Sequence, residues 1–189
     1  MTTFVIDYET SGLNPYHEDI IEIAIKVYGK DISYESLVIP KSKKPISAKI
    51  TEITGITNQR LKDDGVSHNV AYRSSIDFMK DNMTEGSPAY LIAHNGMGFD
   101  FIFFKRLMKD VGESSLDIRY IDSMFYSKYI HPNMYSHSMK TLTKNYNIVN
   151  KQEHRAMGDV NALEELVVEM MKKDGLTDPT DIYAKLEFL

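Results

Sequence analysis

The 189-residue chain reads as an α/β protein, a five-stranded mixed sheet flanked by helices, and three observations predict it. Apolar, β-branched runs at residues 4–6, 20–28 and 32–39 follow one another with only turn residues between them. Two further short apolar runs, 90–93 and 118–121, are each preceded by a stretch of helical periodicity. A hydrophobic content of 42% in a chain of this length supports one well-buried core and is short for two, so a single domain over 1–189 is expected.

The first strand is Phe4, Val5 and Ile6 leading into Asp7, and Gly12, Asn14 and Pro15 break it. Residues 20–28 alternate in part, Gly29, Lys30 and Asp31 supply turn chemistry, and 32–39 resumes extended structure, which together make a meander. Residues 40–68 carry Pro40, Pro45, Gly55 and Gly65 and read as a long irregular connection with short helical pieces, on the substrate side. From Asn69 onward Val70, Ala71, Ile76, Phe78 and Met79 fit a surface helix that Gly86 and Pro88 stop before the buried strand at 90–93. Phe101, Phe104, Leu107 and Met108 recur at helical spacing, which puts Asp100 near a helix N-terminus. After the fifth strand, Asp122 and Ser123 cap the next segment. Ala162, Leu163, Leu166, Val167 and Met170 form one stripe on a helix over 155–173, with Asp159 in its first turns. The residues 175–179 separate a last short helix. In this order of elements the first three strands are antiparallel and the last two are joined through helices on both faces.

Composition excludes several kinds of function. With no cysteine there is no disulfide, thiolate zinc site or cysteine nucleophile. No run approaches the ~20 apolar residues of a membrane span, and the first residues lack the features of a signal peptide, so an intracellular place, cytoplasmic or nuclear, is expected. A net charge of −5 argues against a long basic nucleic-acid track. Setting aside the four acids Asp7, Glu9, Asp100 and Asp159 makes the balance nearly even, which suits a protein that grips a few nucleotides at an end.

Each of those acids lies in an apolar or glycine-containing stretch, an unusual setting for surface charge, and His154 stands five residues before the last of them. On a strand, i and i+2 face one side, so Asp7 and Glu9 point together. Taken singly, each acid has a plain explanation, as a solvated pair, a helix cap or a first-turn acid. Converging, they would hold two divalent cations, Mg²⁺ or Mn²⁺, about 3.5–4 Å apart, suited to cutting a phosphodiester. His154 is the candidate general base, since imidazole titrates near neutrality. Among basic residues, Lys41, Lys43 and Lys44 read as a solvated loop. Lys140, Lys144, Lys151 and Arg155 lie closer in sequence to the histidine, and Arg155 is the preferred phosphate contact. His94 and Asp122 read as structural, His17, His68, His131 and His137 as surface residues, and the aromatics at 99–104 as mostly core.

The segments 7–13, 94–100 and 154–163 resemble, in that order, the three motifs of the DEDDh branch of the DnaQ-like 3′–5′ exonucleases, which have an RNase H-like fold; the third takes the TREX-type form. The resemblance implies that Asp7, Glu9 and Asp159 hold the first metal, that Asp7 also touches the second, and that Asp100 acts directly or through water. It assigns His154 to activating the nucleophile, and Thr10 and Leu13, with Asn95 nearby, to receiving the terminal nucleotide. The sister branch carries Tyr four residues before the last acid, where this chain has Arg155. Members often carry His where this chain has Thr54, a departure that bears on sugar or substrate contacts. The implied activity is release of 5′-mononucleotides from single-stranded DNA 3′ ends. The alternatives are an exoribonuclease or oligoribonuclease of the same fold, or a non-catalytic nucleic-acid-binding adaptor. A polymerase or other protein partner is compatible with the same residues.

Overall fold

The computed structural model describes residues 1–150 and 152–187. Three strands open the chain: β1 (Thr2–Thr10), β2 (Ile20–Val27) and β3 (Ser33–Ile39). Two short helices, α1 (Ala48–Thr54) and α2 (Asn58–Asp64), lead to β4 (Val66–Ser67) and α3 (His68–Asn82). The second half runs β5 (Ala89–Ala93), a 3₁₀ turn at Gly96–Gly98, α4 (Asp100–Asp110), β6 (Ile118–Asp122), α5 (Ser123–Ile130), α6 (Met139–Asn145), α7 (Ala156–Asp174) and α8 (Thr180–Leu186).

The sheet has six strands in the order β4-β3-β2-β1-β5-β6. Its five long strands are those expected; the sixth is the two-residue β4, which joins Val38 and Ile39 in parallel at the edge and comes from the stretch read as irregular. β1 is antiparallel to β2 and parallel to β5, which in turn is parallel to β6. Each parallel crossover carries a helix, as right-handed connections between parallel strands require.

Strand alternation divides the core. Phe4, Ile6 and Tyr8 enter a cluster with α3 and α4, where Ala71, Ile76, Met79, Phe101, Phe104 and Leu107 are buried. Val5 faces the other way, into a cluster with Ile92, Ile121, Tyr126 of α5, Leu142 of α6 and the stripe Val160, Leu163, Leu166, Val167 and Met170 of α7. Both faces are therefore covered, as parallel strands demand. A third cluster of Ile21, Ile46, Ile56 and Leu61 holds the 40–65 connection against β2. Among the described residues, no helix is long and apolar enough to cross a membrane.

Thr54 belongs to this scaffold. Its hydroxyl donates to the Ile50 carbonyl (2.9 Å) and accepts from the Ile56 amide (3.1 Å), closing α1 just before Gly55 takes the left-handed conformation. A buried residue occupied in this way is a helix-end device.

Candidate active site

Because Val5 faces α7, the same alternation turns Asp7 and Glu9 to that side, where the apolar lining of β1 stops. α7 brings Asp159 to them from its first turn, and α4 begins at Asp100, which is 4% exposed. The sheet thus assembles carboxylates from three distant stretches at one end of β1.

The electrostatics reflect that crowding. Burial, reinforced by the charges of Asp100, Glu9, Asp159 and Glu22, holds the Asp7 carboxyl well above the usual carboxylate range. Burial first, and then Asp159, Glu22 and Asp100, pushes Glu9 up to about 8, against the pull of Arg155. Asp100 is raised to about 7, mainly by burial, although backbone amides of Asp100 and Tyr8 oppose this. Asp159 is raised by burial too, opposed by His154 and by hydrogen bonds from the His154 amide and Asn150. Asp100 Oδ1 is buried with no hydrogen-bond partner among the described residues. Buried oxygens short of donors, on acids short of nearby positive charge, form a donor set that suits hard divalent cations. Glu9, His154 and Asp159 each offer a ligand atom, all within 4.8 Å of one another.

The turn before α7 shapes the other wall. His154 is exposed and left-handed (φ 62°), and its amide donates to Asp159 Oδ2 at 3.0 Å. Asn150 Nδ2 donates to Asp159 Oδ1 at 2.6 Å, so both carboxylate oxygens tie the turn to the helix. Gly158 is required for this: a Cβ there would fall 2.4 Å from the Gln152 carbonyl oxygen. The pocket between the turn, β1 and α6 measures about 230 Å³ and is lined by Asp7, His94, Lys140, Thr143, His154 and Asp159, among others.

The expected substrate residues are placed unequally. Leu13 is 84% exposed at the end of β1, and Asn95 is exposed in a left-handed conformation (φ 59°) beside His94. Thr10 is buried, its hydroxyl donating to the Gly12 carbonyl at 2.8 Å. Arg155 differs from the expected phosphate contact. Its Nη2 lies 2.5 Å from Glu22 Oε1 and its Nε 3.1 Å from the same oxygen, so the guanidinium is turned back into the sheet. Lys140 does reach the pocket, Lys41 pairs with Asp110, and Lys151 lies outside the described residues.

The structural readings of His94 and Asp122 match their surroundings. His94 bridges Ser123 Oγ and the His137 carbonyl, both at 2.8 Å, and burial lowers its pKa. Asp122 accepts from the amides of Asn95, Met97 and Met124, fixing the 94–99 turn to the start of α5. His137, read as a surface residue, is half-buried because Ser127 Oγ holds its Nδ1 at 2.9 Å. Phe101, Phe103 and Phe104 are core.

Two contributors escaped the sequence reading. Glu22 is fully buried and stands directly opposite Glu9 in the β1–β2 register. Its signal was available, as a lone acid within an isoleucine-rich strand. Asn150 lies past the end of α6, in a loop with no periodicity to read.

The chain is similar to several known proteins. The family model described as Exonuclease, that of RNase T, matches residues 4–167. The PolC-type DNA polymerase III of Bacillus subtilis is 31% identical over 175 residues, which cover 90% of this chain and 11% of the polymerase. The structure of exonuclease I superposes with a TM-score of 0.76 at 19% identity, over 99% of this chain and 43% of that one. Escherichia coli exonuclease I in complex with a dT13 oligonucleotide gives 0.75 at 18% identity, over 92% and 42%. These superpositions establish the fold, and the chain spans only a small part of its polymerase relatives. On the family match over most of its length, the chain belongs to the exonuclease family.

Proposed function

We propose that residues 1–189 form a single DEDDh-type exonuclease domain, acting inside the cell, that removes 5′-mononucleotides one at a time from the 3′ end of single-stranded DNA. The observation that carries this reading is the meeting of Asp7, Glu9, Asp100 and Asp159 at one end of β1, with His154 within ligand distance of Glu9 and Asp159.

Asp7, Glu9, Asp100 and Asp159 would hold two divalent cations, Mg²⁺ or Mn²⁺, which when bound supply positive charge for the phosphate oxygens and for both the entering and the leaving oxygen. His154 takes a proton from the attacking water as its oxygen bonds to the terminal phosphorus. The bond from that phosphorus to the preceding nucleotide's O3′ breaks in line, and O3′ leaves to be protonated as the new 3′-hydroxyl. The freed product is a nucleoside 5′-monophosphate. Leu13 and Asn95, both exposed, meet the terminal nucleotide, and Thr10 fixes the turn before Leu13 through the Gly12 carbonyl. Lys140 faces a phosphate. A small pocket admits unstacked bases, which favours single strands.

DNA is supported over RNA by likenesses whose names bear on a substrate, among them a DNA polymerase and a nuclease solved with oligo-dT. The polymerase relatives also support a polymerase as partner, joined or bound. Matched 5′-labelled DNA and RNA oligonucleotides test the reading. A ladder shortening from the 3′ end on DNA, abolished by chelator and by Asp7→Ala, is expected. Robust hydrolysis by the Asp7→Ala protein contradicts it, and a strong preference for the RNA ladder moves the assignment to an exoribonuclease.

A further inference from the structure

The fully buried carboxylate of Glu22 faces the acids of β1 yet carries its own cation, Arg155, which is immediately next to His154. Glu22 Oε1 takes Arg155 Nη2 at 2.5 Å, and Oε2 accepts the Ala156 amide at 2.9 Å. Ala156 is the first residue of α7, whose flanking residue Arg155 makes no side-chain cap of its own. A strand carboxylate therefore satisfies one of the free amides at that helix end and lies where the helix dipole favours negative charge. Register adds the other half: Glu9 is the direct cross-strand partner of Glu22. One side chain of β2 is thus tied to the strand that carries Asp7 and Glu9 and to the helix turn that carries His154 and Asp159.

We propose that Glu22 and Arg155 are a positioning pair that sets the spacing between the β1 acids and the Asp159–His154 turn, and that Arg155 thereby serves site geometry and not substrate phosphate. This rests on the exonuclease reading. Glu22 does not touch the reacting atoms. Its buried carboxylate is matched by Arg155 and by the Ala156 amide, an arrangement in which removing one partner is costly and removing both is much less so. The same contacts fit an arginine after His154: two nitrogens of its planar fork, Nε and Nη2, meet Glu22, where a lysine would offer one.

Three variants test this, Glu22→Gln, Arg155→Lys and the double Glu22→Gln/Arg155→Gln, each read by Mn²⁺ titration calorimetry, steady-state kinetics and amide hydrogen exchange. Glu22→Gln keeps shape and one acceptor oxygen, so the protein folds. We expect Mn²⁺ affinity to fall about 10–100-fold, the loss typical when the support of a metal ligand is removed. The same variant should lower kcat with KM for the oligonucleotide unchanged, and raise exchange at the amides of 156–159 at least tenfold. Arg155→Lys should show the same pattern more weakly. The double variant should recover the melting temperature but not the Mn²⁺ affinity, which separates positioning from general stability. A rise in KM with unaltered kcat and Mn²⁺ affinity for Arg155→Lys would make Arg155 a substrate contact and overturn the proposal. So would Glu22→Gln with Mn²⁺ affinity and exchange both at wild-type level. If the wild-type protein binds no Mn²⁺ and cuts no DNA, the exonuclease reading fails, while the exchange measurement still decides whether the pair orders the turn.

Discussion

The two sides of the site are built in opposite ways. Asp7 is set half-buried at the pocket by a strand and Asp100 buried by a helix start, and Asp100 Oδ1 is left without a partner among the described residues. His154 lies exposed on a turn, in a left-handed conformation, attached through its backbone to Asp159. The first side is electrostatically unfavourable on its own; the second is anchored by its backbone and leaves its ring exposed. A site that concentrates negative charge needs a rigid frame, whereas a proton acceptor needs access to solvent and to substrate.

The largest effect should come from the acidic side. Asp7→Asn is expected to lower kcat by at least about 10⁴-fold, yet to raise the melting temperature of the chelated protein, because it removes a buried charge that its neighbours repel. His154→Asn should lower kcat by about 10²–10⁴-fold while leaving the melting temperature nearly unchanged, since asparagine accepts the left-handed backbone. Equal melting shifts for the two variants would erase the distinction between the two sides.

Gly158→Ala probes the anchor. Its new Cβ meets the Gln152 carbonyl oxygen at 2.4 Å, so the turn must shift. We expect kcat to drop about 10–100-fold with a stability loss of about 1–3 kcal/mol.

Stability against pH sharpens the comparison further. For Asp7, Glu9 and Asp100 the folded-state pKa lies above the unfolded one, so the folded protein holds those protons longer. Their contribution is least unfavourable below the unfolded carboxyl range, about 4 to 4.5, and worsens as pH rises toward about 8, the folded value of Glu9. In chelator, the melting temperature should therefore be lower at pH 8 than at pH 6 by a few degrees. Saturating Mg²⁺ should remove most of the difference, and Asp7→Asn only the part that Asp7 contributes. A chelated protein that is steadier at pH 8 would contradict the assigned crowding.

The smallest effect on activity belongs to Thr54→Val. Losing its two hydrogen bonds should cost about 1–2 kcal/mol in denaturant melts with kcat unchanged.

How much of this was legible in the chain depends on range. The β1 acids could be placed on one side because strand period is local, and α7 was located to within a residue by its apolar stripe. β4 has two residues and α6 seven, too short for any period to rise above composition. The ion pair of Arg155 was hidden for a different reason. Its partner Glu22 lies 133 residues away, and nothing near either residue announces the pair. At Thr54 a motif comparison shows only a departure from the common His; the hydrogen bonds to Ile50 and Ile56 reveal what the hydroxyl does.

The most direct measurement is a crystal of the protein soaked in Mn²⁺, with anomalous difference maps recorded above the manganese edge. Two peaks about 3.5–4 Å apart, bounded by Asp7, Glu9, Asp100 and Asp159, are the result expected. Peaks elsewhere, or none at saturating Mn²⁺ with these carboxylates ordered, would contradict the claim that the three stretches fold around shared cations.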